Sequence, residues 1–333
     1  DQSIAEAHYL LQLSRPGAAA APKAPLDVET ESRVSAGCKA LQACVDLNLG
    51  PESDLMTNLA LIVSGLRWPQ CSEAESYLTD GLRTIETNMN RFSPDGATKG
   101  SPKALHSMVW HMGETIAWMQ SNDIEFPPDI IGIWSAWAHT LSQWLGDMDR
   151  LPLQATTTVA PGILWDLIAQ AATWKIPAGT LPQSPSTSPQ AWETWSWRDS
   201  QCAVAHRSTN GVNLRFWTGL GSPEGTQRLV AWDLPDGTVL QSKWDGTPTL
   251  SGVRSDTDAA QFLMEGPAAT RRVQLQRARM LVHDTGLDTS QWTIGPSWTI
   301  EPHKTGWVGQ RHNTAPQDKP QKLIIGTENK RLF

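Results

Sequence analysis

The stretch PDIIGIWSAWAHTLSQWLG, residues 128–146, has the apolar spacing of an α-helix. Its apolar residues recur at i, i+3, i+4 and i+7, at Ile130, Ile133, Trp134, Trp137, Leu141, Trp144 and Leu145. A tryptophan stripe at this spacing is more often core than ligand platform, so we predict a helix whose aromatic side chains are mainly buried. Pro127-Pro128 supports a helix start at this point.

The same helical period extends outward from this stretch, from the beginning of the chain to about Trp174. Turn signals such as Asn48-Leu49-Gly50-Pro51 and Ser93-Pro94-Asp95-Gly96 divide the region into segments. We predict helices over 2–13, 29–47, 53–66, 72–91, 102–121, 128–146 and 160–174. Short and moderate connections alternate, which favours antiparallel helical hairpins stacked around an axis.

The period changes after residues 177–190, a stretch rich in proline and serine that is typical of a linker. Beyond it, period-two runs predict strands over 202–206, 212–217, 228–232, 238–241, 272–276 and 279–283. Short strands without intervening helices indicate an antiparallel sheet or sandwich. We therefore predict an α+β protein with a helical domain over 1–176, a linker over 177–190 and an antiparallel β-sheet domain over 191–333.

Charge and hydropathy exclude two classes of protein. The formal net charge of −7 argues against a general nucleic-acid binder, which needs a basic surface. It is compatible with a polyanionic substrate, since a local cleft can be basic on an acidic protein. No apolar run approaches the roughly 20 residues that span a bilayer. Cys38, Cys44, Cys71 and Cys202 form no CxxC pair, so we expect buried thiols, with one disulfide as the alternative.

Tryptophan is unusually abundant, with 17 residues against two tyrosines. An indole ring is a flat stacking surface for a sugar and also a large core residue. We favour the core for any single tryptophan. If the protein binds sugar, one or more of four tryptophans should be partly exposed in a groove between the two halves, namely Trp68, Trp110, Trp118 and Trp217.

Three stretches resemble the heparinase II/III-like polysaccharide lyases. Residues 54–65, DLMTNLALIVSG, are similar to the family's helix that follows an Asn-His pair. Residues 93–106, SPDGATKGSPKALH, resemble a Pro-Asp-Gly turn running into a Ser-Pro-x-Tyr-His helix start. The third, from Thr270-Arg271-Arg272-Val273 to Met280-Leu281-Val282-His283-Asp284, resembles a sheet segment of the family.

The resemblance implies an incomplete (α/α) toroid followed by an antiparallel β-sandwich. It also implies cleavage of a uronic-acid-containing polysaccharide by β-elimination, without a cofactor. A structural divalent metal ion in the sheet domain remains an alternative. The family's Asn-His pair corresponds here to Ser53-Asp54, its tyrosine to Leu105 and a glutamate to Gly100.

The resemblance assigns one catalytic candidate, His106, as base or carboxylate partner. Chemistry and position suggest substrate-binding candidates around it: Lys103, Asn58, His111, His206, Arg207 and Trp110. We expect Arg271-Arg272 at a solvated strand edge.

Two alternatives remain open at this point. The first is a catalytically inactive descendant that binds glycan or serves in assembly, which the departures from the family pattern favour. The second is an unrelated hydrolase with paired carboxylates such as Asp54 and Asp95. For an active lyase and for its inactive descendant, the expected partner is an acidic polysaccharide or oligosaccharide. The expected location is periplasmic or secreted rather than cytoplasmic.

Overall fold

The computed structural model contains helices in the first half of the chain and strands in the second. It describes residues 28–44, 51–88, 102–145, 168, 171, 191–197, 201–209, 212–221, 227–234, 237–245, 248–256, 258–276, 279–285, 292–294, 298–303, 306–311 and 322–327. None of the helices in these ranges is long and apolar enough to cross a membrane.

The helices of the described residues follow the predicted segments closely. They are α1 (Val28–Cys44), α2 (Pro51–Arg67), α3 (Ala74–Asn88), α4 (Pro102–Ser121) and α5 (Pro128–Leu145). The predicted helix 2–13 lies outside the described residues, as does 160–174 apart from residues 168 and 171. The predicted linker 177–190 also lies outside them.

The strands confirm the predicted period-two runs and add others. They are β1 (Glu193–Trp197), β2 (Cys202–Thr209), β3 (Val212–Gly221), β4 (Gln227–Leu234), β5 (Gly237–Asp245), β6 (Thr249–Ser255), β7 (Ala259–Glu265), β8 (Thr270–Gln276), β9 (Arg279–Thr285), β10 (Trp292–Ile294), β11 (Trp298–His303), β12 (Gly306–Arg311) and β13 (Lys322–Thr327). One sheet has the order β1-β2-β3-β4-β5-β10 and the other β11-β12-β13-β9-β8-β7-β6. The pairing is antiparallel except between β9 and β13. Helices with mainly antiparallel sheets confirm the α+β class.

The chain divides into two compact units. The first holds the described residues of Asp1–Gly96, Lys103–His139 and Gly162–Pro182. The second holds those of Ala97–Pro102, Thr140–Pro161 and Gln183–Phe333. The last turn of α5 therefore belongs to the second unit, while the rest of that helix belongs to the first.

In the first unit, α2 and α3 approach closely because glycine stands at the contact. A Cβ atom on Gly65 would lie 2.5 Å from the carbonyl oxygen of Ala74. One on Gly81 would lie 2.9 Å from the carbonyl oxygen of Asn58. Real Cβ contacts are longer than this, so the absence of side chains at these two positions sets the distance between the helices.

The tryptophans of α5 are core residues, as their spacing predicts. Trp134 and Trp137 are fully buried, and so is Trp144 in the last turn of the helix. Within the first unit, the indole Nε1–H of Trp134 donates a hydrogen bond of 2.8 Å to the carbonyl oxygen of Val109 in α4. This bond removes the cost of burying a polar indole nitrogen.

In the second unit, the first sheet contacts the last turn of α5 on one face and the second sheet on the other. Trp197 in β1 donates a hydrogen bond of 3.2 Å to the hydroxyl of Thr140. On the opposite face, the ring of Phe216 lies 4.9 Å from that of Phe262 in the second sheet. Alternation of side chains along each strand separates the two sets of contacts.

Candidate functional site

Four half-exposed residues of α4 form a continuous ridge, which we call the α4 ridge: His106, Trp110, Glu114 and Trp118. They are spaced four residues apart. Each step of four advances about 6 Å along a helix and turns by only about 40°. The four side chains therefore follow one another along the surface of the helix, as i±4 rows do.

The ridge is exposed because the other side of α4 supplies the core. Leu105, Val109, Met112, Ile116 and Met119 are all buried. Their spacing of three and four residues forms an apolar stripe at helical period. This stripe fixes the rotation of α4, and the rotation leaves His106 half-exposed.

His106 carries an imidazole whose pKa lies below its ordinary value. Burial disfavours the charged ring and lowers the pKa, and the nearby His111 lowers it further. The ring is therefore neutral at pH 7, which is the form that accepts a proton.

His111 does not belong to the ridge. It directly follows Trp110 and is rotated by about 100° around the helix axis from that ridge residue. Its side chain is buried, and its Nδ1 lies 3.6 Å from Oε2 of Glu114. His111 was predicted to bind substrate, and the structure instead puts its side chain on the core side of α4.

At the far end of the ridge, Trp118 contacts a cation from another helix. The guanidinium carbon of Arg67, the last residue of α2, lies 5.5 Å from the Trp118 ring centroid. Both residues are half-exposed. This distance is within the range of a cation–π interaction.

Lys103 lies in the first turn of α4, three residues before His106. Residues three apart on a helix share a face, so the backbone position of Lys103 is on the side of the ridge. Its side chain lies outside the part of the structure that is described.

Asn58 is a core residue of α2, contrary to the prediction that it contacts substrate. It is 2% exposed, and its Nδ2 donates a hydrogen bond of 2.6 Å to the carbonyl oxygen of Asp54. An amide enclosed in this way between helices presents no group to a polymer.

His206 is buried in β2 at the carboxyl end of α5. Its Nε2 lies 2.5 Å from the carbonyl oxygen of Gln143, and since a carbonyl only accepts, Nε2 carries the proton. Burial and, to a lesser extent, the positive charge of the neighbouring Arg215 together lower the pKa of His206 to about 3, although the bond to Gln143 acts in the opposite direction. Arg215 is fully buried and donates bonds of 2.9 and 3.3 Å to the carbonyl oxygens of Trp144 and Leu145.

Arg207 points away from His206, because consecutive strand residues face opposite sides of a sheet. It is buried, with Nη1 3.4 Å from the backbone oxygen of Asp258 in the same unit. His206 and Arg207 were both predicted to bind substrate beside His106, and the structure does not bring the two side chains together. Their positions instead stabilise the second unit.

The tyrosine expected of an active relative has no substitute among the described residues of the ridge. Leu105, in the place of that tyrosine, is fully buried. Tyr77 is buried in α3 and its hydroxyl donates to Glu73; burial raises its pKa to about 12. The other tyrosine, Tyr9, lies outside the described residues.

The other predicted features have mixed outcomes. Trp110 and Trp118 are half-exposed, whereas Trp68 and Trp217 are buried. All four cysteines are thiols, of which Cys44 is the one not buried. Within the described ranges, no group of three His, Cys, Asp or Glu side chains is arranged to hold a metal ion.

Sequence reasoning missed two residues of this site. Glu114 follows from the spacing of HSMVWHMGETIAW, residues 106–118, in which the four ridge residues recur at every fourth position. The sequence contains no comparable spacing that points to Arg67. Its contact with Trp118 joins two different helices, and the two residues are 51 positions apart in the chain.

Comparison with solved structures relates the fold to heparinase III. A crystal structure of heparinase III matches with a TM-score of 0.53 and 10% identity, over 85% of this chain and 50% of that chain. The relationship is structural and distant. A heparan sulfate lyase from Pedobacter heparinus matches with a TM-score of 0.41 and 10% identity, over 83% of this chain and 48% of that chain.

The chain spans about half the length of these solved structures. No protein-family model matches the sequence, and no curated protein sequence is significantly similar to it. At 10% identity the likeness concerns the fold alone.

Proposed function

We propose that this protein acts on an acidic, uronate-containing polysaccharide by β-elimination, with His106 as the base. The observation that carries the proposal is the α4 ridge, where a neutral, half-exposed imidazole stands one turn from a half-exposed indole. The likeness of the fold to heparinase III supports the proposal. It also supports an incomplete (α/α) toroid as the fold of the helical part and a β-sandwich as the fold of the sheet part.

The reaction requires three events at one uronate. The negative charge of the carboxylate is masked, so that the C5 proton becomes acidic enough to leave. His106 takes that proton, and the electron pair forms the C4–C5 double bond while the C4–O4 bond breaks. The departing O4 takes a proton and becomes the hydroxyl of the released fragment. No redox cofactor enters this chemistry.

Two of these events, masking of the carboxylate and protonation of O4, need groups besides the unprotonated form of His106. Lys103, one turn before His106, is the cation best placed along the helix to mask the carboxylate. Arg67 lies beside Trp118, about 18 Å along the helix from His106, which is too far for this task. Because Leu105 stands in the place of the tyrosine, the protonated His106 must itself return the proton to O4.

The test is incubation of the protein with a panel of uronate polymers, followed by ultraviolet absorbance of the unsaturated product. We expect product from at least one polymer, and none from His106→Ala at an almost unchanged melting temperature. The matched control is His139→Ala, which removes a half-exposed histidine of α5 and should retain activity. Absence of product from every polymer would overturn the catalytic proposal.

A second candidate function is glycan binding without cleavage. Two observations favour it: Leu105 is a buried core residue, and the amide of Asn58 is enclosed between helices. Under this alternative, the wild type binds an acidic polysaccharide with an affinity that Trp110→Ala weakens, yet releases no unsaturated product. Calorimetry with the same panel distinguishes the two functions.

A further inference from the structure

We propose that Trp118 and Arg67 form a second subsite of the α4 ridge. This subsite binds an anionic sugar of the same polysaccharide molecule that contacts Trp110. This inference rests on the proposed polysaccharide ligand and extends it, since it assigns a second bound sugar to Trp118 and a ligand contact to Arg67, which the sequence did not indicate.

The first argument is the chemistry of the pair. The face of an indole packs on the C–H groups of a sugar ring, and Trp118 is half-exposed. A guanidinium presents N–H groups in a planar fork that matches a carboxylate or a sulfate ester. The Arg67 guanidinium carbon lies over the Trp118 ring, 5.5 Å from its centroid, so a sugar that packs on the remainder of the indole lies beside the cation.

The second argument is the spacing along α4. Trp110 and Trp118 are eight residues apart, about 12 Å along the axis, and His106 is about 6 Å beyond Trp110. A single sugar ring does not reach both indoles. The ridge turns by about 120° around α4 between His106 and Trp118, so an oligosaccharide that follows it winds around the helix. It meets His106, Trp110, Glu114 and Trp118 in that order, and the Glu114 carboxylate accepts hydrogen bonds from its hydroxyl groups.

The subsite predicts a dependence on ligand length. A short fragment bound at His106 and Trp110 does not reach Trp118, whereas a longer one does. Trp118→Ala and Arg67→Gln should therefore weaken the binding of long fragments and leave that of short fragments unchanged.

The experiment measures the Kd of a disaccharide and of an octasaccharide prepared from a uronate polymer, by calorimetry on the 333-residue chain. For the octasaccharide we expect about tenfold weaker binding from Trp118→Ala and a similar loss from Arg67→Gln. Arg67→Gln should also reduce the salt dependence of binding. The matched control is Arg83→Gln, which removes the same charge from an exposed position of α3 and should change neither Kd.

The outcomes separate this inference from the proposed function. If the wild type binds no fragment and no polymer, both the subsite and the proposed function are wrong. If it binds and both variants bind the octasaccharide as the wild type does, the subsite is wrong while the proposed function stands. Equal losses for both fragments would show that the variants act through the fold, and this too overturns the subsite. If Trp118→Ala does not fold, the Kd of the octasaccharide for Arg67→Gln and Arg67→Lys tests the subsite.

Discussion

At the scale of single residues, neighbours in the sequence have opposite environments. Arg271 is fully buried, whereas Arg272 beside it on β8 is exposed. The guanidinium carbon of Arg271 lies 5.9 Å from the ring centroid of Trp244. The expectation that both arginines lie at a solvated strand edge is wrong for Arg271, because β8 lies between β7 and β9 and one of its faces is buried.

This difference predicts different effects of the same substitution. Arg271→Met should lower the free energy of unfolding by about 2–4 kcal/mol, because the groups that the buried cation contacts lose their partner. Arg272→Met should change it by less than about 0.5 kcal/mol. Urea unfolding of both variants measures the difference. Equal effects would contradict the assigned faces of β8.

His106 predicts the pH dependence of the proposed activity. A base acts in its unprotonated form, and the pKa of His106 lies below the ordinary value of 6.5. The initial rate should therefore fall as the pH is lowered, with a midpoint below the ordinary histidine pKa. Rates of product formation against pH test this. An acidic limb with its midpoint above the ordinary histidine pKa would contradict the assignment of His106 as base.

At the scale of elements, the ends of α2, α4 and α5 fall within two residues of the predicted ends. Proline and turn residues mark these ends in the sequence, so local signals suffice. Several strands were missed, among them β7, where Ala260, Phe262 and Met264 alternate with less buried residues. Its period-two signal is present but short, and a strand is assigned firmly only by its neighbours in the sheet.

The glycine contact between α2 and α3 yields a prediction at this scale. Gly65→Ala should destabilise the protein by about 1–3 kcal/mol, because the new Cβ would lie 2.5 Å from the carbonyl oxygen of Ala74. Gly132→Ala is the control in α5, since a Cβ there meets nothing within 4 Å. It should stabilise by about 0.4–1 kcal/mol. Thermal unfolding compares the two, and a Gly65→Ala protein as stable as Gly132→Ala would show that the helices do not approach as described.

At the scale of the whole molecule, the second unit depends on a histidine buried in the neutral form. The pKa of His206 is about 3 in the folded protein, against an ordinary value of 6.5. The unfolded chain therefore binds one more proton than the folded chain between these two values. The contribution of His206 to stability is complete above pH 6.5 and is lost progressively as the pH falls towards 3.

The predicted consequence is loss of stability in acid, with a slope of about 1.4 kcal/mol per pH unit from this group alone. In His206→Gln, an amide replaces the imidazole as donor to Gln143 and does not titrate. The variant should be less stable than the wild type at neutral pH and should lose less stability on acidification. Urea unfolding at about pH 7.5 and about pH 4.5 measures both. An equal loss in the two proteins would contradict a neutral, buried His206.

The sequence by itself determined the kind of each main element and the order of helices before strands. It also placed His106 and Trp110 four residues apart on one helix. These features depend on periodicity and on proline and turn residues, which act over a few positions of the chain.

Only the tertiary structure decided which polar residues are enclosed. Asn58, His206 and Arg207 are chemically suitable for binding a polymer, yet each is buried by neighbours that the local pattern does not reveal. His206 contacts Gln143, 63 residues earlier in the chain. Burial is a property of packing between distant segments, and for this reason the sequence proposed a wider site than the α4 ridge that the structure presents.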